Sequence, residues 1–295
     1  MSGFSVLDRR FSLVVGLVVC AASFGGLSVG VTGGLTFEQM SALRLAGDAE
    51  VSPDGSLIAY TLAVPRRPGV DADGPAWSEL HVVSFDNGAD RTFVGGEVNV
   101  SGARFSPDGT LITYLAKRDG DDHTSLWAIP VAGGESRRLI GFESAIDDYR
   151  LSPDGARVAF VARQPASEER KEAEKKGYSQ EVFEEDWLPK KVWVAGLPPF
   201  NPPILDPSGT KSVDEGPTAM EIDGSVFHVR WSPDGSKLAV DIAPRPLIDD
   251  RYMSRRVTII DSATAKVSAV FENPGKLGDF DFSPDGRQVA MISAA

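Results

Sequence analysis

Five times along this chain a branched or large apolar residue is followed by a small residue and then by another large one. The triplets are Ile58-Ala59-Tyr60, Ile112-Thr113-Tyr114, Val158-Ala159-Phe160, Leu238-Ala239-Val240 and Val289-Ala290-Met291. A period of two predicts strands. A half-exposed strand would carry a polar residue at the middle position. The small residue found there instead predicts sheets buried on both faces and stacked closely on their neighbours. Each strand follows a Ser-Pro-Asp-Gly turn, at 52–55, 106–109, 152–155, 232–235 and 283–286, and an apolar residue precedes each turn (Val51, Phe105, Leu151, Trp231, Phe282). Serine opens the turn with a local side-chain hydrogen bond, and proline presets φ at its second position. Aspartate is tolerated at the third, and glycine supplies positive φ at the fourth. Such a turn joins two antiparallel strands through a small bulge.

Later in the units comes a second hairpin. The first runs Leu80 to Phe85, turns at Asp86-Asn87-Gly88 and returns over Arg91 to Val94. The next runs Leu126 to Val131, turns at Gly133-Gly134 and returns over Arg137 to Ile140. The fourth unit pairs Val257 to Asp261 with Lys266 to Val270. Asn-Gly and Gly-Gly between apolar runs are hairpin signals, and two hairpins make four strands per unit. Serine-to-serine spacings of 54, 46 and 51 suit the blades of a β-propeller. The expected fold is therefore all-β, an incomplete propeller of about four four-stranded blades plus one strand.

The remaining spacing, 80 residues between the third and fourth turns, requires an insertion at about 163–190. Residues 167–176 carry mixed charges at helical spacing, with Ser167 as a cap and Gly177 as a stop, which predicts a short helix on the rim of the third blade. Val182 to Trp187 follow, then a strand over 191–195 and a loop rich in proline (Pro198, Pro199, Pro202, Pro203).

Before the first unit, Arg9 and Arg10 precede 27 residues without a charge, the build of a signal peptide or an N-terminal anchor over residues 1–30. The propeller then occupies 31–295, and export to the periplasm or beyond is expected. The only cysteine, Cys20, lies in the leader, which excludes disulfides and thiol catalysis from the propeller. A formal charge of −12 argues against nucleic acid as a partner. Contact with a membrane is expected only through an uncleaved anchor.

Residues with catalytic potential are few. Gly26-Leu27-Ser28-Val29-Gly30 has the spacing of a nucleophile elbow but sits in the leader, outside any strand-turn-helix context. His81, His123 and His228 fall in separate repeats, and no metal-binding spacing links them. The acidic stretches Asp71-Ala72-Asp73-Gly74 and Asp119-Gly120-Asp121-Asp122 lack the further spaced ligands of a calcium loop and read as solvated turns. No catalytic residue, metal or cofactor is expected in this chain.

The last tetrapeptide begins at 283, one strand before residue 295. That edge makes the chain read as the N-terminal piece of a longer protein; a four- or five-bladed ring closed by residues 35–50 is the other reading. Leu35-Thr36-Phe37-Glu38-Gln39-Met40, Gly47-Asp48-Ala49-Glu50-Val51, the repeated tetrapeptide and Ala243-Pro244-Arg245-Pro246-Leu247-Ile248-Asp249-Asp250 together carry a resemblance. From about residue 35 onward the chain resembles the N-terminal propeller of bacterial prolyl oligopeptidase family serine peptidases, the acylaminoacyl-peptidase and dipeptidyl-peptidase relatives. The tetrapeptide alone also resembles that of TolB-like periplasmic propellers. The first resemblance implies a non-catalytic propeller that gates short peptides into an α/β-hydrolase domain carrying the Ser-Asp-His triad, a domain missing from this chain. The second implies a stand-alone protein-binding propeller. In dipeptidyl-peptidase relatives an acidic pair on a propeller insertion holds the free amino terminus of the substrate. Phe183-Glu184-Glu185-Asp186-Trp187 is similar, although aspartate and tryptophan follow the pair here. Glu184 and Glu185 are thereby implied as substrate-binding residues; the alternative makes them rim charges paired with Lys190, Lys191 or solvent.

Overall fold

The computed structural model describes residues 34–118, 120–180, 187–197 and 216–294. The chain divides between Met40 and Ser41. At the boundary lies α1 (Phe37–Ser41), opened by a reciprocal cap. Thr36 N donates to Gln39 Oε1 at 3.0 Å and Gln39 N to Thr36 Oγ1 at 3.2 Å, so two amides left without helical partners are satisfied at once.

The second unit is a series of antiparallel sheets, each a meander in chain order. The first sheet holds β1 (Leu45–Val51), β2 (Leu57–Val64), β3 (Trp77–Ser84) and β4 (Asp90–Val94). The second holds β5 (Ser101–Phe105), β6 (Leu111–Ala116), β7 (Ser125–Pro130) and β8 (Arg137–Ile140). The third holds β9 (Ile146–Leu151), β10 (Arg157–Arg163), β11 (Lys190–Gly196) and β12 (Thr218–Ala219). The fourth holds β13 (Ser225–Trp231), β14 (Lys237–Ala243), β15 (Arg256–Asp261) and β16 (Val267–Phe271). A two-stranded fifth sheet pairs β17 (Leu277–Phe282) with β18 (Val289–Ser293). This is an incomplete propeller, all-β apart from short helices.

Two of those helices interrupt blades between their second and third strands. The first, α2 (Glu168–Lys175), has Ser167 as its cap, with Arg170 N donating to Ser167 Oγ at 3.2 Å. The other, α3 (Ile248–Met253), starts after Pro246, where the chain cannot continue as a strand, and Arg245 clamps Asp250 at 2.7 Å.

The tetrapeptide does more than turn the chain. In every copy the serine hydroxyl donates to the aspartate two residues on, at 2.5–2.6 Å. The same oxygen accepts the backbone N–H of Leu57, Leu111, Arg157, Lys237 and Gln288, each at 2.9 Å. The glycines sit at φ between 68° and 76°, the left-handed region that favours glycine. Pro53 lies against Gly109, Pro153 against Gly235 and Pro233 against Gly286, so each of these turns leans on its neighbour.

The core lies between sheets. Ala59, Leu80 and Val82 of the first sheet pack with Phe105, Ile112 and Tyr114 of the second, and three further clusters fill the next three junctions. Ala59, Thr113, Ala159 and Ala239 are fully or almost fully buried, which explains the small middle residue of each triplet. Ala290, in the two-stranded sheet, is exposed. The one polar member, Thr113, is satisfied: its hydroxyl donates to the Arg104 carbonyl at 3.2 Å and lies 2.9 Å from the Tyr149 hydroxyl.

Candidate functional site

The first strands of the sheets approach one another, β1 with β5, β9 with β13 and β13 with β17. Each carries a bulge in its pairing with the second strand. Their alternation is one-sided. Residues one and three before each tetrapeptide are mostly large and apolar, such as Phe105, Tyr149, Val229 and Phe280. Those two and four before it are mostly charged: Glu50, Arg104, Arg150, Arg230 and Asp281 in one row, and Asp48, Gly102, Asp148, His228 and Asp279 in the other. One face of the inner strands therefore enters the core and the other is a charged wall.

Ion pairs along this wall join the first sheet to the second, the third to the fourth and the fourth to the fifth. Arg104 Nη1 donates to Glu50 Oε2 at 2.5 Å, while Glu50 Oε1 accepts Phe105 N at 3.0 Å. Asp48, at φ 44°, accepts the bulge amide of Gly102 at 3.1 Å. Asp148 accepts from Arg150 at 3.0 Å and from Val229 N at 3.0 Å, and Arg230 reaches Asp279 at 2.9 Å. Carboxylates thus satisfy the bulge amide of Gly102 and the edge-strand amides of Phe105 and Val229, which have no strand on that side to pair with. Burial pushes the Arg150 guanidinium down to about 10, and the like charges of Arg104 and Arg230 add to this against the pull of Asp148. Burial also opposes the charge of Arg104, but Glu50 and other acidic neighbours hold it above the ordinary arginine value. A cavity of about 270 Å3 opens beside Glu50, Arg104 and Arg150, bounded by Pro53, Pro107 and Leu151.

A second arrangement stands behind β13. Asp241 is fully buried and accepts His228 N at 2.6 Å, His228 Nδ1 at 2.9 Å and Arg255 Nη1 at 2.5 Å. Arg255 Nη2 donates to the Leu277 carbonyl at 2.6 Å, which ties the fourth sheet to the fifth. His81 is likewise held by carboxylates, Asp90 at 2.9 Å and Glu79 at 3.3 Å. Both histidines sit inside strands in hydrogen-bonded positions, and His123 lies exposed in a loop. Among the described residues no three histidine, cysteine, aspartate or glutamate side chains converge as a metal site. Asp71 pairs with Arg67 and Asp121 with Arg138, both at 2.8 Å.

Connections between second and third strands lie at the end of the sheets opposite the tetrapeptides, because the strands alternate in direction. Here Arg66 covers the Trp77 ring at 3.8 Å and Arg118 the Trp127 ring at 4.8 Å. Arg245 lies 5.7 Å from the Trp187 ring, which brings the third and fourth connections together. Glu184 and Glu185 belong to the third connection and lie outside the described residues, as does Gly26-Leu27-Ser28-Val29-Gly30. Of the lysines offered as their partners, Lys190 pairs with Asp147 at 2.8 Å and Lys191 donates to the Ile222 carbonyl.

No family model matches the sequence, and no curated protein is similar to it. Solved structures do share its fold. A protein assigned as TolB from Agrobacterium tumefaciens superposes with a TM-score of 0.53 at 19% identity, over 84% of this chain and 74% of its own. Hydrazine synthase from Kuenenia stuttgartiensis gives 0.54 at 16% identity, over 84% and 71%. An acylaminoacyl peptidase in complex with Z-Gly-Gly-Phe-chloromethyl ketone gives 0.51 at 14% identity, over 79% of this chain. The present chain spans 33% of that peptidase's length. These likenesses establish the propeller fold, which serves unrelated chemistries.

Proposed function

We propose that this chain is the non-catalytic, substrate-gating propeller of an exported serine peptidase that acts on short peptides. The observation that carries the reading is the charged face of the inner strands, where Glu50 and Arg104 form one group of paired charges and Asp148, Arg150, Arg230 and Asp279 another. A short peptide presents an ammonium, a carboxylate and unpaired amides, and such a wall offers acceptors and donors for all three. A folded protein hides its amides and brings too much bulk, so it is excluded by size. Glu184 and Glu185 supply the amino-terminal anchor in this reading. Two adjacent carboxylates clamp an ammonium by charge-assisted hydrogen bonds and thereby fix how far the peptide enters the hydrolase. The hydrolysis itself belongs to an α/β-hydrolase domain. Export rests on Arg9 and Arg10 before the uncharged run. Among the described residues no helix is long and apolar enough to cross a membrane.

A serine-directed fluorophosphonate label tests the reading. Applied to cells that make the native protein, it should mark a polypeptide that antibodies to this propeller capture. Residues 1–295 expressed alone should take up none. A captured native polypeptide that stays unlabelled would refute the peptidase assignment and leave a stand-alone binding propeller.

A further inference from the structure

We propose that Arg104 and Arg150 form a receiving site for a carboxylate, the C-terminal group of a short peptide, in the cavity at the tetrapeptide end of the inner strands. That the carboxylate belongs to a peptide rests on the gating function proposed above; the anion site itself rests on geometry. The cavity measures about 270 Å3 and its charged lining is Glu50, Arg104 and Arg150. At roughly 30 Å3 per water this is room for about nine waters, enough for one terminal residue and its carboxylate.

The donor inventory points the same way. A guanidinium presents five N–H groups in a rigid fork. Arg104 engages Glu50 through Nη1, and its buried Nε has no partner. Arg150 places Nη1 on Asp148 at 3.0 Å and on the Tyr149 carbonyl at 2.7 Å, and its Nε and Nη2 have no acceptor among the described residues. Burial and the neighbouring Arg104 and Arg230 already disfavour the charge on Arg150, so an added anion relieves a repulsion built into the wall. Two guanidinium groups beside one opening offer the kind of donors that meet the planar, two-oxygen geometry of a carboxylate.

Charge then selects among anions. The lining holds one glutamate and two arginines, and Asp148 pairs with Arg150 at 3.0 Å beside it, so little net charge is left to attract an anion. A phosphate dianion would face Glu50 and Asp148 with twice the charge of a carboxylate. Pro53, Pro107 and Leu151 add apolar surface at the sides of the cavity, which stays open to solvent.

The test is calorimetric titration of the full chain with N-acetyl-trialanine, its C-terminal amide and inorganic phosphate at equal ionic strength. The acid should bind at least tenfold more tightly than the amide and more tightly than phosphate. Arg150→Gln should weaken the acid at least tenfold and leave the amide unchanged. Glu50→Gln keeps an acceptor for Phe105 N but removes the competing charge, so it should tighten the acid severalfold. Because Glu50→Gln and the acid–amide comparison need no change at Arg150, they decide the matter even if Arg150→Gln fails to fold. Equal binding of acid and amide, no binding of the acid at millimolar concentration, tighter binding of phosphate, or weaker binding in Glu50→Gln would each overturn the site. Binding of the acid here alongside an unlabelled native protein in the fluorophosphonate experiment would remove the peptidase and keep the site.

Discussion

Replacing Asp241 with alanine strips four donors of one buried acceptor. The carboxylate is fully buried and receives Phe227 N at 3.3 Å, His228 N at 2.6 Å, His228 Nδ1 at 2.9 Å and Arg255 Nη1 at 2.5 Å. The Arg255 side chain is 11% exposed and its Nε already lacks a partner, so the substitution leaves a buried positive charge beside an alanine. Breaking a buried pair from one side costs about 3–5 kcal/mol. That is a large part of the ~5–15 kcal/mol by which a domain is stable. With a urea slope of about 3 kcal/mol/M, the midpoint at neutral pH should fall by about 1–2 M, read by tryptophan fluorescence. Asp241→Ala combined with Arg255→Met should lose less than the two single changes together, since the second removes the charge that the first strands.

The pH dependence has a definite sign. Burial alone would raise the Asp241 carboxyl, but the His228 hydrogen bond and the charges of His228 and Arg255 outweigh it and hold it below the ordinary value. A depressed carboxylate stabilises the fold above its unfolded pKa of ~3.9, and the contribution disappears as pH falls through the lower folded value. The difference between wild type and Asp241→Ala should therefore persist down to about pH 4 and narrow below it. A midpoint shift under roughly 0.3 M, or a double variant whose loss equals the sum of the singles, would refute the reasoning.

Three further outcomes are expected. Phe160 is fully buried and meets Phe142 edge-on at 5.4 Å, so Phe160→Ala should cost about 3–5 kcal/mol in urea unfolding; a loss below about 1 kcal/mol would mean the junction collapses around the gap. Carboxyl NMR should find Asp54 and Asp234 titrating at about 2, held down first by the Ser52 and Ser232 hydroxyls and then by backbone N–H groups, and midpoints near 3.9 would deny those bonds. In the whole protein, exchanging Glu184 and Glu185 for glutamine should lower kcat/KM for free-amino peptides at least tenfold and spare N-blocked ones, since a hydrogen bond to a charged group is worth ~1.5–3 kcal/mol; equal losses on both would sink the clamp.

The repeat was legible because its signals are local. Ser-Pro-Asp-Gly dictates its own hairpin, and the returning strand Arg137–Ile140 falls where the Gly133-Gly134 turn puts it. The Ser167 cap and Gly177 stop likewise bracket α2, because both act through neighbouring backbone groups. What depends on distant partners was not legible. The residues at two and four before each serine are visible in the sequence, yet nothing local says that Glu50 meets Arg104 or Asp148 meets Arg230. Counting backwards from each tetrapeptide would have found the charged rows. Turn chemistry merely tolerates aspartate at the third position, whereas here it anchors the serine hydroxyl in every copy. Two elements gave no periodic signal at all: β12 has two residues, and α3 is too short for a helical repeat to register.

The leaning of one turn on the next has a mechanical consequence. Pro53 on Gly109, Pro153 on Gly235 and Pro233 on Gly286 couple neighbours only, as do the four apolar clusters. Such a series behaves as a one-dimensional lattice, in which each unit contributes its own stability plus a term for the junction it shares. Load applied at the last strand would peel sheets off in order, each release exposing the next junction. A defect in a single turn would lower the resistance of two adjacent units and leave the far end unaware of it.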